Sequence, residues 1–462
     1  MTVAVDLAVA VAESPPMSRA KVVFVCQSCG TTSARWLGRC PGCEAWNTLV
    51  EERATKSESK PRDVQTVLLS DAPAQAEHKD HRTSTKISEL DRVLGGGLVE
   101  GSVVLLGGEP GMGKSTLLLQ ALANISGPTL YVSGEESVEQ VAGRARRLGV
   151  ASDRLRILCS NTLQEALDAL HTQKPKVAVI DSLQTLADDA LESAPGSVSQ
   201  VREVGHRLAR IAKSDGLALF LVGHVNKDGA LAGPKVVEHL VDVVLYFDSE
   251  AGDGLRILRA HKNRFGAVSE VGIFEMAESG LIPVTNPSER FLSERSAQQP
   301  GSVITAQLNG TRPILAEVQA LCVPTPFGMP RRTALGVDPN RVALLLAVLE
   351  RCAGMDVLGQ DVFVNAAGGL RLTEPSSDVA IALAVASSVR RRAVDAKVCA
   401  IGEVGLTGEI RRVARVEQRV EEARRLGFTR VLVPEGNAAR LDSKGVVPVG
   451  TLKQALMAAG LE

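Results

Sequence analysis

The chain has 462 residues, 45% hydrophobic and 23% charged, with a formal net charge of −1. Such a composition is ordinary for a globular protein of two or three domains, and near-neutrality excludes a chain that is basic overall, so nucleic-acid contacts must come from local patches. An aromatic content of 3% argues against a base-stacking platform, and no apolar run is long enough to span a bilayer, so no membrane partner is expected.

Residues 1–20 are small and apolar but carry Asp6 and Glu13 and lack a basic start. They read as a disordered leader and not as a signal peptide, with Met17 as an alternative start. N-terminal sequencing of native protein tests that point. The next block, 21–50, holds Cys26-Gln-Ser-Cys29, ten residues, and Cys40-Pro-Gly-Cys43. Two Cys-x-x-Cys knuckles place four thiolates tetrahedrally around Zn²⁺. A redox dithiol pair is the competing reading, disfavoured because both pairs share one short block. No position is left for a catalytic water, so the metal is expected to be structural and to support a contact surface. Gly30 and Gly42 are expected to supply the turn freedom of the knuckles. The other four cysteines, Cys159, Cys322, Cys352 and Cys399, are scattered and read as reduced core thiols. Residues 51–84 are polar and aperiodic and read as a flexible linker, with His78 and His81 as solvated linker histidines.

From 85 to 287, apolar strands alternate with helical stretches, which means a parallel sheet covered by helices, an α/β fold. Gly95-Gly96-Gly97 is expected to form a tight turn near a nucleotide. Gly108-Glu109-Pro110-Gly111-Met112-Gly113-Lys114-Ser115-Thr116 fits the phosphate loop. Its glycines let backbone N–H groups approach phosphate oxygens, Lys114 supplies a mobile cation, and Ser115 supplies a hydroxyl for Mg²⁺. The apolar run Val103–Leu106 precedes it and a helix follows, which sets the phosphates at a helix N-terminus. ATP and Mg²⁺ are the expected ligands.

Val177-Ala-Val-Ile-Asp181 ends a strand with a carboxylate placed for the Mg²⁺ shell. Tyr131-Val-Ser-Gly-Glu135-Glu136 ends another strand with two carboxylates. Spacing alone leaves open whether one of them polarises the attacking water or both begin a helix. Leu221-Val-Gly-His224-Val-Asn226-Lys227 ends a third strand in polar groups, and the connection continues to Lys235. A further long connection, Gln184 to Gln200, is acidic; both have lengths typical of functional loops. His261-Lys262-Asn263-Arg264-Phe265-Gly266 sets two cations on a turn. From the residues alone, a solvated basic turn is the simpler account.

Residues 288–462 mix strand and helix patterns with no second phosphate loop. Ile401 to Ile410 reads as a bent strand pair and Val416 to Leu426 as a helix. Arginines are frequent, among them Arg331 and Arg332.

The order of parts resembles the bacterial RadA (Sms) family of DNA repair proteins, over nearly the whole chain and most specifically in Lys262-Asn-Arg-Phe-Gly266. The resemblance implies a zinc ribbon, a RecA-like P-loop ATPase core and an α+β Lon-protease-like C-terminal domain. It implies an ATP-dependent motor related to the DnaB helicases, active in homologous recombination, promoting branch migration or strand-exchange extension of recombination intermediates on single-stranded or branched DNA. A homo-oligomer is implied, a hexameric ring with nucleotide at subunit interfaces, in the cytoplasm with the nucleoid, and a RecA-type recombinase as partner of the zinc module. On that basis Glu135 is the catalytic glutamate, and Lys262 and Arg264 reach the neighbouring subunit's γ-phosphate. Gln184–Gln200 and Asn226–Lys235 line a DNA channel, with Lys227, Lys235, Arg331 and Arg332 as candidate DNA contacts.

The Lon resemblance raises peptidase activity, which needs a serine activated by a lysine. Ser376 matches the serine, but Glu417 falls where the lysine should lie, so no proteolysis is expected and Ser376 is read as a helix-start residue. The alternatives are a KaiC-like signalling ATPase without DNA coupling and an ATP-dependent Lon-type protease.

Overall fold

The computed structural model describes residues 21–54, 82–223, 235–249, 254–293, 295, 298–325 and 328–462. The zinc block is a three-stranded antiparallel sheet of Thr32–Ser33, Lys21–Cys26 and Leu49–Ala54, so it runs four residues past the expected boundary. Its buried centre is small, with Cys26, Cys40 and Leu49 at its core. So little apolar surface cannot hold a fold without a cross-link or metal.

The central domain is a nine-stranded sheet. From one edge the order is Gly280–Pro283, Val271–Ala277, Leu255–Asn263, Val243–Ser249, Val103–Gly108, Ala218–Val222, Val177–Asp181, Thr129–Ser133 and Leu155–Cys159. The last six are mutually parallel, and the first three extend the sheet antiparallel. Apart from the half-buried edge strand Leu155–Cys159, the parallel strands are buried on both faces and correspondingly read as near-continuous apolar runs. Because strands of one direction end on one edge, the phosphate loop after Gly108, the carboxylate of Asp181 and the acidic pair after Ser133 converge there. The domain begins earlier than expected: Arg82–Thr83 pairs with Leu98–Val99, and Asp91 accepts from Ser84 and Thr85.

Gly95, Gly96 and Gly97 all have positive φ but do not approach the phosphate loop. They precede Val103, at the opposite end of that strand, and Gly95 packs against Phe265 and Gly266. The tight turn is therefore real, and its neighbour is the basic turn and not the nucleotide site.

The C-terminal domain is a seven-stranded mixed sheet, ordered Arg332–Leu335, Gln360–Ala366, Arg312–Pro324, Ser302–Asn309, Val398–Ala400, Arg430–Pro434 and Val446–Val449. Asp378–Arg390, almost wholly buried, packs across it. The expected strand pair and helix are present as Glu403–Val404 with Ile410–Arg411, and Val416–Arg425. Leu255, Ile257, Val271 and Ile273 of the central sheet join this domain's core, and Arg312 pairs with the fully buried Glu89 at 2.7 Å. The two domains thus share a hydrophobic and ionic seam. Among the described residues no helix is long and apolar enough to cross a membrane.

Candidate functional site

The phosphate loop leads into the helix Lys114–Asn124, whose N-cap Gly113 is left-handed and offers no side-chain cap. The first turn holds no acidic residue, so its N–H groups remain available and the helix end favours an anion. Gly113 has φ +95°, a left-handed conformation that favours glycine. Lys114 Nζ donates to the carbonyls of Gly108 (2.7 Å) and Glu109 (2.9 Å), curling the loop around the ammonium. Burial pushes the Lys114 pKa down, and the nearby Asp181 and Glu135 carboxylates oppose that shift.

Asp181 is aligned by Tyr131, which is fully buried and donates its hydroxyl to Asp181 Oδ2. Burial and then the Asp181 charge raise the phenol pKa, and Ser115 interacts with the same hydroxyl. Tyr131 thereby links the two residues expected to serve Mg²⁺. No sequence pattern marked it; its role follows from lying beside Val179 on the adjacent strand.

The two acidic residues separate in space. Ser182 Oγ donates to Glu135 Oε1 at 3.0 Å, directing that carboxylate toward the sheet edge. Glu136 is engaged in an ion pair with Arg144 of the following helix. Gly134 between strand and carboxylates is required, because a Cβ there would lie 2.0 Å from Thr185 Oγ1.

Lys262 and Arg264 do not join this group. Val244 pairs with both Leu105 and Lys262, which sets Lys262 two strands across and three residues short of Gly108. That is about 10 Å across and about 10 Å along the sheet, beyond the reach of a lysine to its own phosphate loop. Lys262 Nζ instead donates to the carbonyls of Glu238 (2.7 Å) and Val241 (2.8 Å). Arg264 pairs with buried Asp242 at 2.9 Å, which Lys213 also approaches at 3.7 Å. The turn itself is pinned: Asn263 donates to Val93 O, and Arg82 donates to Phe265 O.

Lys227 and most of Asn226–Lys235 lie outside the described residues, as does the side chain of Lys235. Arg331 and Arg332 are exposed, on and beside the edge strand of the C-terminal sheet. Gln184–Gln200 reaches the functional edge, but carries Asp188, Asp189 and Glu192 and no lysine or arginine. It is ordered by Gln200, which bonds Asp188, Leu191 and Ser193, and by the Arg207–Asp188 pair.

The four cysteines of the zinc block converge, their sulfurs all within 4.8 Å of one another. Cys26–Cys43 and Cys29–Cys40 are 3.6 and 3.5 Å apart. Four thiolates tetrahedral about a zinc ion at about 2.3 Å would lie about 3.8 Å apart, so the donor set fits Zn²⁺ with four sulfurs and no open position. Amides of Ser28 and Gly42 point at Cys26 and Cys40 sulfur. The turn freedom is supplied by Gly30 (φ 73°) and Glu44 (φ 62°), the equivalent positions after each knuckle, and not by Gly42. Gly42 is needed for space, since a Cβ would meet Thr31 Oγ1 at 2.1 Å. Cys26→Ala is expected to abolish amide-exchange protection across 21–54 while leaving that of the central sheet unchanged. Retained protection in the zinc block would contradict a structural metal. Trp36 and Trp46, 55% and 70% exposed, report poorly on this event by emission.

In the C-terminal domain the cation beside Ser376 is Arg419, not residue 417. Glu417 is exposed, about 200° around the helix from Arg419, whereas Arg419 is buried and donates to Ser376 Oγ at 2.9 Å and to Glu374 at 2.8 Å. Ser376 is also not a helix cap: the N-cap of Asp378–Arg390 is Ser377, whose hydroxyl donates to Glu374 O and does not cap the helix, and Ser376 Oγ donates to Glu374.

Three families match parts of the chain: "Rubredoxin metal binding domain" over 24–51, "AAA domain" over 71–230 and "Subunit ChlI of Mg-chelatase" over 332–437. Proteins described as DNA repair protein RadA from Bacillus subtilis and Listeria monocytogenes are 51% and 49% identical over 94% and 95% of this chain and 97% and 99% of their own. Among solved structures, the KaiC-like protein PH0186 of Pyrococcus horikoshii OT3 is 22% identical, covering 44% of this chain and 99% of its own, with a TM-score of 0.38.

Proposed function

The chain belongs to the RadA family of DNA repair proteins, and on that premise we propose that it is an ATP-driven DNA motor of homologous recombination, promoting branch migration on single-stranded or branched DNA. Its ATPase core supports hydrolysis. The observation that carries the motor reading is the separation of Lys262 and Arg264 from the phosphate loop of their own chain. A cation pair on the far edge of the sheet meets a γ-phosphate only when a second copy presents one, as in a ring with nucleotide between subunits.

In this reading the amides of Gly111–Thr116 and the Lys114 ammonium cradle the phosphates. Ser115 and Asp181 would hold Mg²⁺, which supplies charge neutralisation on the β- and γ-oxygens when bound. Glu135, aimed by Ser182, accepts the proton of the attacking water. The pairing of Glu136 with Arg144 supports Glu135 as the one that takes this role.

The C-terminal domain serves assembly and DNA contact, not peptide hydrolysis. An arginine does not serve as the base that a serine nucleophile requires, and the Glu374 oxygen facing Ser376 already accepts from Arg419 and the Leu308 amide. Fluorescent casein is therefore expected to remain intact with ATP present. Cleavage that disappears in Ser376→Ala would refute this assignment.

The motor reading is tested on a three-stranded junction with one labelled strand. ATP-dependent release of that strand is expected, with none from Lys114→Ala. A properly assembled oligomer that hydrolyses ATP yet never releases the strand would remove the motor proposal.

A further inference from the structure

The four sulfurs of the zinc block are alike as ligands and unequal in their surroundings. Cys26 and Cys40 are buried, Cys29 is half-buried and Cys43 is exposed. Cys26 takes the amides of Ser28 and Cys29, and Cys40 those of Gly42 and Cys43. Two hydroxyls add to this on the first knuckle. Thr48 Oγ1 lies 3.1 Å from Cys26 Sγ, and Thr31 Oγ1 lies 3.1 Å from Cys29 Sγ. A zinc-bound thiolate carries no proton, so in each pair the threonine donates. Among the described residues no hydroxyl reaches Cys43, which is faced by the Ala45 amide.

Four thiolates on one divalent cation leave a net charge of about −2 on the centre. Each hydrogen bond to a sulfur draws density from it and lowers its nucleophilicity, the tuning that outer groups exert on metal ligands. Reactivity toward oxidants and electrophiles also follows exposure. Both effects single out the same sulfur. Cys26 is shielded by burial, two amides and a hydroxyl, whereas Cys43 has the fewest donors and the most solvent.

We propose that Cys43 is the modification site of the zinc block, the thiolate at which peroxides and electrophiles open the metal centre, an inference that rests on the structural-zinc reading and not on the DNA motor. With hydrogen peroxide, the Cys43 sulfur attacks one oxygen, the O–O bond breaks and hydroxide leaves, giving a sulfenic acid. The Cys26 sulfur, 3.6 Å away, then attacks the Cys43 sulfur. An S–S bond forms as the S–O bond breaks, and a second hydroxide leaves. Two thiolates have lost two electrons and one peroxide has gained them. The two sulfurs left cannot close a four-sulfur site, so zinc is released and 21–54 unfolds. Thr48 and Thr31 are positioning residues that keep the first knuckle out of this reaction.

The experiment treats the zinc-loaded full chain with a limiting amount of N-ethylmaleimide, which forms an S–C bond and takes a proton from water, and separately with hydrogen peroxide. Modified peptides are mapped by mass spectrometry while a chromophoric chelator follows zinc release. Cys43 should be labelled first, with zinc leaving in step, and peroxide should yield the Cys26–Cys43 disulfide. Replacing Cys43 changes the donor set itself, so the informative variants keep all four ligands. Thr48→Val should raise labelling of Cys26, and Thr31→Val that of Cys29, by about fivefold, the weight of one hydrogen bond, with Cys43 unchanged. Labelling that starts at Cys26, Cys29 or Cys40, or spreads evenly over the four, overturns the proposal. So does zinc release at a rate independent of reagent concentration. Threonine variants that label like the unmodified chain overturn the role given to the hydroxyls. If the purified chain carries no zinc, the structural-zinc reading itself fails and takes this site with it.

Discussion

Lys262→Ala is expected to reduce ATP turnover by about 10³-fold while leaving nucleotide affinity within about twofold, the behaviour of a cation supplied across an interface. The expectation follows from placement. Lys262 lies level with Leu105, on the far side of the sheet from the loop at Gly108, so its removal does not touch a nucleotide bound by its own chain. Within one chain the ammonium is spent on the carbonyls of Glu238 and Val241, and burial followed by the Arg264 charge lowers its pKa. A group held this way is partly desolvated and is carried on a pinned turn, which suits it to transfer to a phosphate oxygen brought by a neighbour. The check is a fluorescent ATP-analogue titration alongside steady-state turnover in the assembled oligomer, with Lys114→Ala for comparison. Equal loss of affinity in Lys114→Ala and Lys262→Ala would assign Lys262 to its own chain's site. A lowered melting temperature with turnover reduced only in proportion would make it a clamp on the Glu238–Val241 segment.

Glu135→Gln should lower turnover by about 10²- to 10⁴-fold, the usual scale for removing a general base, with ATP still bound. Glu136→Gln should cost far less, because its carboxylate is committed to Arg144. Glutamine keeps the size and the hydrogen bond from Ser182, so a loss of turnover reports proton transfer and not packing. Single-turnover measurements on both variants decide the matter. Greater loss in the Glu136 variant would reverse the assignment and imply that the Ser182 contact holds Glu135 out of the reaction.

The parts legible in the sequence are those whose chemistry is carried by contiguous residues. The phosphate loop, the two cysteine knuckles and the apolar strand ending in Asp181 each announce themselves because ligand, turn and flanking element follow one another along the chain. Five of the six parallel strands were readable for a related reason: burial on both faces leaves uninterrupted apolar runs, which the half-buried edge strand Leu155–Cys159 breaks at Arg156. What stayed hidden depends on distant segments. Tyr131 gains its role only because its strand lies against that of Asp181. Arg419 reaches Ser376 across 43 positions of sequence, and a residue-by-residue alignment pointed two positions away, to Glu417. Gly95–Gly97 was rightly a turn but was assigned to the wrong edge, because a strand's two ends are equivalent in sequence and opposite in space. Glu44 shows a further limit: its left-handed backbone is imposed by the metal knuckle, against the preference of its residue type.

The central claim is that ATP hydrolysis here is coupled to DNA, and steady-state turnover with and without single-stranded DNA tests it most directly. The full-length oligomer should hydrolyse ATP several-fold faster with DNA, less so as salt rises, with Lys114→Ala inactive in both conditions. Turnover that is robust, lost in Lys114→Ala and unchanged by DNA at every salt concentration would contradict the motor and favour a signalling ATPase.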